Sequence, residues 1–467
     1  MIRWIALLSA GSALSCKILF SATLTAATLK PGPYLFIDDA LIAQSSNMVR
    51  TIHSPKRDLP EPVVTAKEDK NFQPYITVLR DHATQRFRMW YNVPVDSGQS
   101  HLAHIESADG IHWQRPHQVL DDPGRIAFGA SVLDEGQGFG DRGRRYKYVW
   151  YNGGMMLACS PDGIHWKAEK ETPVISSIND ILHLARDTAR GRYIAVFGFP
   201  SRPEDGYQGK TQNAAEGYRR CVGQSTSRDG VNWQAPRRII APDNRDEGIT
   251  EYYSIGGVVN RGDLLIGLLK VLRDDLPCDP GGKVDGLGYT VRAWSHDGEN
   301  WQRDRQPFFD RNHEPGTWDH AMAWMDYQQA VGDEIYVYYG GYARGHKVER
   351  FAERQIGLVR MKRDRYVARE SAGEGWLRTP PMKLEGNVLT LNVNATRGEV
   401  RVQIRDERGQ PIPEFGFSEF EPITTDEVAA PAKWKRSLSI LKGKIITLEF
   451  AVRGASLFAF DVRDVGF

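Results

Sequence analysis

Apolar residues in this chain fall in short alternating runs, separated by clusters of turn-forming residues. Arg86-Phe-Arg-Met-Trp-Tyr91, Arg145-Tyr-Lys-Tyr-Val-Trp-Tyr151, Arg192-Tyr-Ile-Ala-Val-Phe197, Leu264-Leu-Ile-Gly-Leu-Leu269 and Ile335-Tyr-Val-Tyr-Tyr339 are five such runs of one kind. β-branched and aromatic residues bounded by turn signals predict strands. Four of the five are followed by one motif: Ser107-Ala-Asp-Gly-Ile-His-Trp113, Ser160-Pro-Asp-Gly-Ile-His-Trp166, Ser227-Arg-Asp-Gly-Val-Asn-Trp233 and Ser295-His-Asp-Gly-Glu-Asn-Trp301. Asp-Gly between apolar strands marks a tight hairpin, because glycine accepts positive φ and aspartate takes turn amides. The fifth run continues into Gln355-Ile-Gly-Leu-Val-Arg360 without the motif.

Each copy is long enough for about four short strands, the size of a propeller blade. Blades are predicted near residues 71–115, 125–170, 178–235, 250–303 and 318–368, with Pro33 to Ser54 closing the ring or covering it. After Glu370 the runs become Val388–Val393, Glu399–Ile404, Ile445–Phe450 and Leu457–Val462, with turns such as Glu407-Arg-Gly-Gln-Pro-Ile-Pro413 between them. These predict a small β-sandwich. The fold class expected is all-β: a five-bladed β-propeller over 28–370, then a β-sandwich over 371–467.

The first 27 residues stand outside this pattern. Arg3, apolar runs over Trp4–Leu14 and Ile18–Leu24, and small Ala26-Ala27 read as a signal peptide, giving a secreted or periplasmic protein with no membrane span once cleaved. A lipid anchor at Cys16 is the other reading, opposed by Ala13 and Lys17. Cleavage leaves Cys159, Cys221 and Cys278, and no Cys-x-x-Cys or His-x-x-x-His pair stands among the cysteines or His313, His320 and His346. No disulfide framework, metal site or cofactor is therefore expected. Lys+Arg 60 against Asp+Glu 59 leaves a net charge of +1, which gives no field for nucleic acid. Glycine at 45 of 467 residues, with 12 Trp, 18 Tyr and 18 Phe, suits an all-β chain. A monomer is expected.

The repeated hairpins, Phe36-Ile-Asp-Asp-Ala-Leu-Ile42, Tyr338-Tyr-Gly-Gly341, Val400-Arg-Val-Gln-Ile-Arg405 and Leu441-Lys-Gly-Lys444 give the chain a resemblance to the glycoside hydrolases of families 32 and 43 and to secreted bacterial relatives of that architecture. The resemblance spans roughly residues 31–467 and implies a carbohydrate substrate and glycosidic-bond hydrolysis. The Trp-Met-Asn-Asp-Pro-Asn-Gly signature of family 32 does not occur in blade one, where Asn71-Phe-Gln-Pro-Tyr75 stands, so fructan cleavage is not implied. The hairpins also resemble the sialidase Asp box, but five blades do not match a six-bladed sialidase.

Glycoside hydrolysis needs two carboxyl groups across the scissile bond, one protonated and one ionised. In a propeller the start of each inner strand faces the central funnel, so acids opening the blades are the candidates. Asp180 lies 13 residues before Tyr193, and Glu251 lies 13 before Leu264, which puts them at one level. Asp319, 16 before Ile335, joins them only if its hairpin loop is longer. Asp180, Glu251 and Asp319 are the catalytic candidates, with Glu251 the general acid; His183, Tyr252, Tyr253, Trp318 and His320 are the substrate-contact candidates. Asp246 and Glu247 rival them, Asp38-Asp39 reads as a turn, and motif aspartates 109, 162, 229 and 297 read as turn residues. Blades one and two open with no acid in register, which motivates the alternative of a non-catalytic glycan-binding propeller.

Overall fold

A computed structural model of the chain describes residues 27–466, apart from 66, 68–72, 82, 97–98, 212–215, 347 and 350–352. The predicted signal peptide and Cys16 lie outside these residues, as do Asn71 and Phe72. The described residues are nearly all β, and none of their helices is long and apolar enough to cross a membrane.

Among the described residues, five antiparallel blades follow one another. Blade one comprises Gln73–Arg80, Phe87–Asp96, Gln99–Ser107 and Gln118–Val119. Blade two comprises Phe128–Asp134, Tyr146–Tyr151, Met155–Ser160 and Lys167–Ala168. Blade three runs through Leu182–Asp187, Arg192–Pro200, Arg220–Ser227 and Arg237–Ile240. Blade four has Thr250–Arg261, Leu264–Arg273, Leu287–Ser295 and Gln302–Arg303. Blade five has Met322–Val331, Glu334–Tyr342 and Gln355–Lys362, and its outer edge is filled by bridges from Lys56 to Arg360 and from Val64 to Ile356. A segment from before blade one therefore closes the ring, as antiparallel pairing on an open edge requires. It is not the Pro33–Ser54 segment: Gly32–Leu35, Gln44–Ser46 and Val49–Ile52 pair with the C-terminal sheet.

Neighbouring inner strands are joined by side chains. Thr77 Oγ1 donates to Ala130 O at 2.7 Å and accepts from Val132 N at 3.0 Å. Ser131 Oγ accepts from Leu184 N at 2.9 Å, and His183 Nε2 accepts from Val258 N at 3.2 Å. Gln328 Nε2 donates to Gly257 O at 2.6 Å, and Asp326 Oδ2 accepts from Ile76 N at 2.8 Å, completing the circle. Asp326 also pairs with buried Lys270. These bonds satisfy polar groups that the centre would otherwise bury unpaired.

The hairpin motif works the same way in all four copies. In the first, Asp109 Oδ1 accepts from the amides of Ile111 and His112 at 2.8 Å each, and Ser107 Oγ accepts from Gly110 N at 2.9 Å. The glycines at 110, 163, 230 and 298 sit at φ +78°, +77°, +78° and +68°, open to glycine at little cost. Three of their carbonyls receive side chains of the preceding blade: Trp90 Nε1 donates to Gly163, Gln224 Nε2 to Gly298 and Tyr338 Oη to Gly110, each at 2.8 Å, while Gly230 O accepts from Trp233 Nε1 of its own motif at 3.0 Å. The motif recurs because it both turns one blade and fastens it to the last.

The C-terminal strands Val367–Arg378, Met382–Leu384, Val388–Asn394, Glu399–Arg405, Asp426–Pro431 and Ile445–Arg463 form one sheet with the N-terminal strands. The two runs Ile445–Phe450 and Leu457–Val462 are one 19-residue strand, with Gly454 at φ +55° between them. It packs Leu448, Phe450, Leu457 and Phe460 against Leu377, Leu391 and Val402 in one core.

Candidate active site

The inner strands of all five blades begin at the same end of the ring, and Asp180 and Glu251 stand there. Asp180 precedes the inner strand of blade three, and Glu251 is the second residue of the inner strand of blade four. Arg220, the first residue of blade three's third strand, stands between them. Its guanidinium Nη1 lies 2.7 Å from Asp180 Oδ1, and its backbone amide donates to Glu251 Oε1 at 2.8 Å. The guanidinium carbon sits 4.6 Å from the Tyr253 ring centroid. Gly198 makes room for this: a Cβ there would meet Asn179 Cβ at 3.0 Å, Tyr253 O at 3.2 Å and Arg220 Nη1 at 3.6 Å.

The two carboxyl groups occupy different surroundings. Asp180 and Arg220 each keep 19% of their side chains exposed. Glu251 is only 1% exposed, and its Oε2 has no hydrogen-bond partner among the described residues. Burial pushes the Glu251 carboxyl up to about 7; the Arg220 amide opposes this, the Asp274 charge adds to it, and the Arg220 and Arg219 guanidinium groups oppose it. A carboxyl so placed keeps its proton near neutral pH.

Behind Arg220 the wall is aromatic. Tyr253 packs on Trp324 at 4.8 Å between ring centroids and meets His346 at 5.0 Å, while Trp324 meets Tyr342 at 6.1 Å. Ile181, Leu272, Ala321 and Met322 complete the cluster.

Of the eight residues singled out in the sequence, the structure brings together Asp180, Glu251 and Tyr253. Asp319, also 1% exposed, lies instead on the ring closure, where Arg57 Nε reaches its Oδ2 at 2.8 Å and Tyr339 Oη donates to it at 3.0 Å. Trp318 stacks on Tyr339 at 5.3 Å and donates to Pro60 O. Tyr252 faces the core between blades three and four; its hydroxyl donates to Asp246 at 2.8 Å and its ring lies under Arg303. Asp246 itself is 2.6 Å from Arg303 Nη2. His183 belongs to the inner circle, where burial, with Lys270 adding, holds its pKa down to about 3. His320 bonds Asp279 through Nε2 and Asn312 O through Nδ1, on the loops beside the aromatic wall. Asp38 accepts from Trp294 Nε1 and Ala40 N, and Asp39 lies 2.7 Å from Arg369.

Sequence reasoning missed Arg220, Asp274 and the Asp326–Lys270 pair. Arg220 opens a third strand at the height at which Asp180 and Glu251 open first strands, and that level was its one signal.

No protein-family model and no curated protein matches the chain. Solved structures do. A glycosyl hydrolase from Bacteroides ovatus is 13% identical, with 72% of this chain and 95% of that one covered and a TM-score of 0.43. A structure described under the GH130 family of mannoside phosphorylases, as containing glycoside hydrolases that target beta-1,2 mannosidic linkages in Candida mannan, is 15% identical over 72% and 97%, TM-score 0.42. An N-acetylgalactosamine deacetylase from F. plautii, in complex with blood group B trisaccharide, is 15% identical over 69% and 97%, TM-score 0.42. Likeness at this level leaves the chemistry to the chain's own residues.

Proposed function

We propose that this protein is an exported glycoside hydrolase that cleaves an oligo- or polysaccharide at the mouth of the propeller funnel. Glu251 is the proton donor to the leaving oxygen. Asp180, paired with Arg220, is the partner carboxylate, acting on water or on the anomeric carbon. Asp319 is given the structural task of holding the ring closure. The observation that carries this reading is the contrast across Arg220: one buried carboxyl poised near 7 and one arginine-bound carboxylate that keeps part of its side chain exposed.

One observation favours the second reading, a glycan-binding propeller without turnover: the free Glu251 oxygen is sealed from the funnel. A panel of aryl glycosides and polysaccharides, assayed for released reducing sugar, separates the two. Hydrolysis lost in Glu251→Gln and Asp180→Asn but kept in Asp319→Asn supports the hydrolase. A glycan that wild type binds and never cleaves supports the binding module.

A further inference from the structure

Three potential metal ligands of different chemistry converge beside the aromatic wall, from segments far apart in the chain. Cys278 and Asp279 lie between the second and third strands of blade four, and His320 immediately precedes Ala321 and the inner strand of blade five. Their ligand atoms all lie within 4.8 Å of one another. Asp279 spans the other two: Oδ1 is 2.8 Å from His320 Nε2, and Oδ2 is 3.5 Å from Cys278 Sγ.

The hydrogen-bond roles at His320 sharpen this. Its Nδ1 lies 2.9 Å from the Asn312 carbonyl oxygen, which can only accept, so Nδ1 carries a hydrogen. Nε2 is then the nitrogen turned to the Asp279 carboxylate, and in the neutral imidazole it carries the lone pair that a cation would take, with the Cys278 thiol beside it. The Nδ1-to-carbonyl bond is also the outer-shell contact by which metal-binding histidines are oriented. His320 is 4% exposed, and Arg311 Nη1 donates to its carbonyl at 2.8 Å, so the imidazole is held in place before any ion arrives.

We propose that Cys278, Asp279 and His320 bind a thiophilic divalent cation of the zinc class. Sulfur, nitrogen and oxygen donors together suit Zn²⁺, and three protein ligands leave a position for water or a substrate oxygen. Binding joins the blade-four loop to the opening of blade five at the funnel rim. It stands independently of the hydrolase reading. Spacing rules along the chain could not find it, because Cys278 and His320 are 42 positions apart.

The test uses the untagged full chain, stripped with chelator and dialysed. Zn²⁺ titrated in a calorimeter is expected to bind at one equivalent, and Co²⁺ to give a thiolate-to-metal charge-transfer band. Cys278→Ser is expected to remove the band, and Cys278→Ser and His320→Gln each to weaken Zn²⁺ by about 100-fold, at least what loss of an outer-shell partner costs. Unchanged thermal unfolding of the stripped Cys278→Ser protein shows that its fold is intact; Asp279→Asn, on an exposed loop residue, supplies the same readout if it is not. A flat isotherm for wild type, or one-equivalent binding unchanged by these substitutions, overturns the proposal.

Discussion

Glu251 and Asp319 are two acids near blade openings, and each is 1% exposed, yet they live in opposite chemical conditions. Asp319 has an arginine at 2.8 Å and a tyrosine hydroxyl at 3.0 Å on the same oxygen. Among the described residues, Glu251 has one backbone amide on one oxygen and no partner on the other. Burial alone does not make a proton donor. Burial without a cation on the carboxyl raises its pKa, and burial with one fastens two segments together.

The comparison breaks most sharply in turnover. Glu251→Gln is expected to lower kcat by about 10²–10⁴-fold, the range of a lost general acid. Asp319→Asn is expected to leave kcat of the folded protein within about threefold and to destabilise the protein by about 3 kcal/mol, since it leaves Arg57 without its charge partner. Steady-state rates and urea unfolding on the two variants check both halves.

Next in size is the pH dependence of stability. Glu251 goes from 4.5 to about 7 on folding, so the folded chain holds a proton that the unfolded chain has lost. Its contribution is full below pH 4.5 and is lost as pH rises through about 7, in all about 3 kcal/mol. Glu251→Gln is expected to flatten that fall, so the variant gains on wild type between pH 5 and 8 in urea unfolding. His183 runs the other way. Held down to about 3 from 6.5, its contribution is present above pH 6.5 and is lost as pH falls toward 3. The stability gap between wild type and His183→Gln is therefore expected to narrow from pH 7 to pH 5.

How much was legible in the sequence follows from how local each cause is. The blades could be read because the Ser-x-Asp-Gly-x-x-Trp hairpin writes its turn chemistry into seven consecutive residues. Asp180 and Glu251 could be read because hairpin register fixes height: both lie 13 residues before the start of a second strand run. The same rule applied to Ile335 lands on Met322, which begins the inner strand of blade five and packs in the aromatic wall. Asp319 stands three residues further back, off that level and against the closing segment. Arg220, and the pairing of Cys278 and Asp279 with His320, arise only when separate strands and loops meet, and no spacing along one strand announces that. Which segment closes the ring was not legible for the same reason, since Val64 and Ile356 are brought together only by the completed circle.

The smallest effect expected belongs to the hairpins. Gly110→Ala forces φ +78° on a residue with a Cβ and sets that Cβ 2.6 Å from Tyr338 Oη. A cost of about 1–3 kcal/mol in urea unfolding, with kcat unchanged, would separate the fastening face of the propeller from its mouth.

The most direct measurement is the pH–rate profile on a glycan that wild type is found to bind. Turnover is expected to fall as pH rises through about 7, where Glu251 loses its proton, and in Glu251→Gln to be about 10²–10⁴-fold lower and without that fall. Binding of that glycan with no sugar released by wild type at any pH, or full turnover in Glu251→Gln, would contradict the assignment of Glu251 as the acid of a glycoside hydrolase.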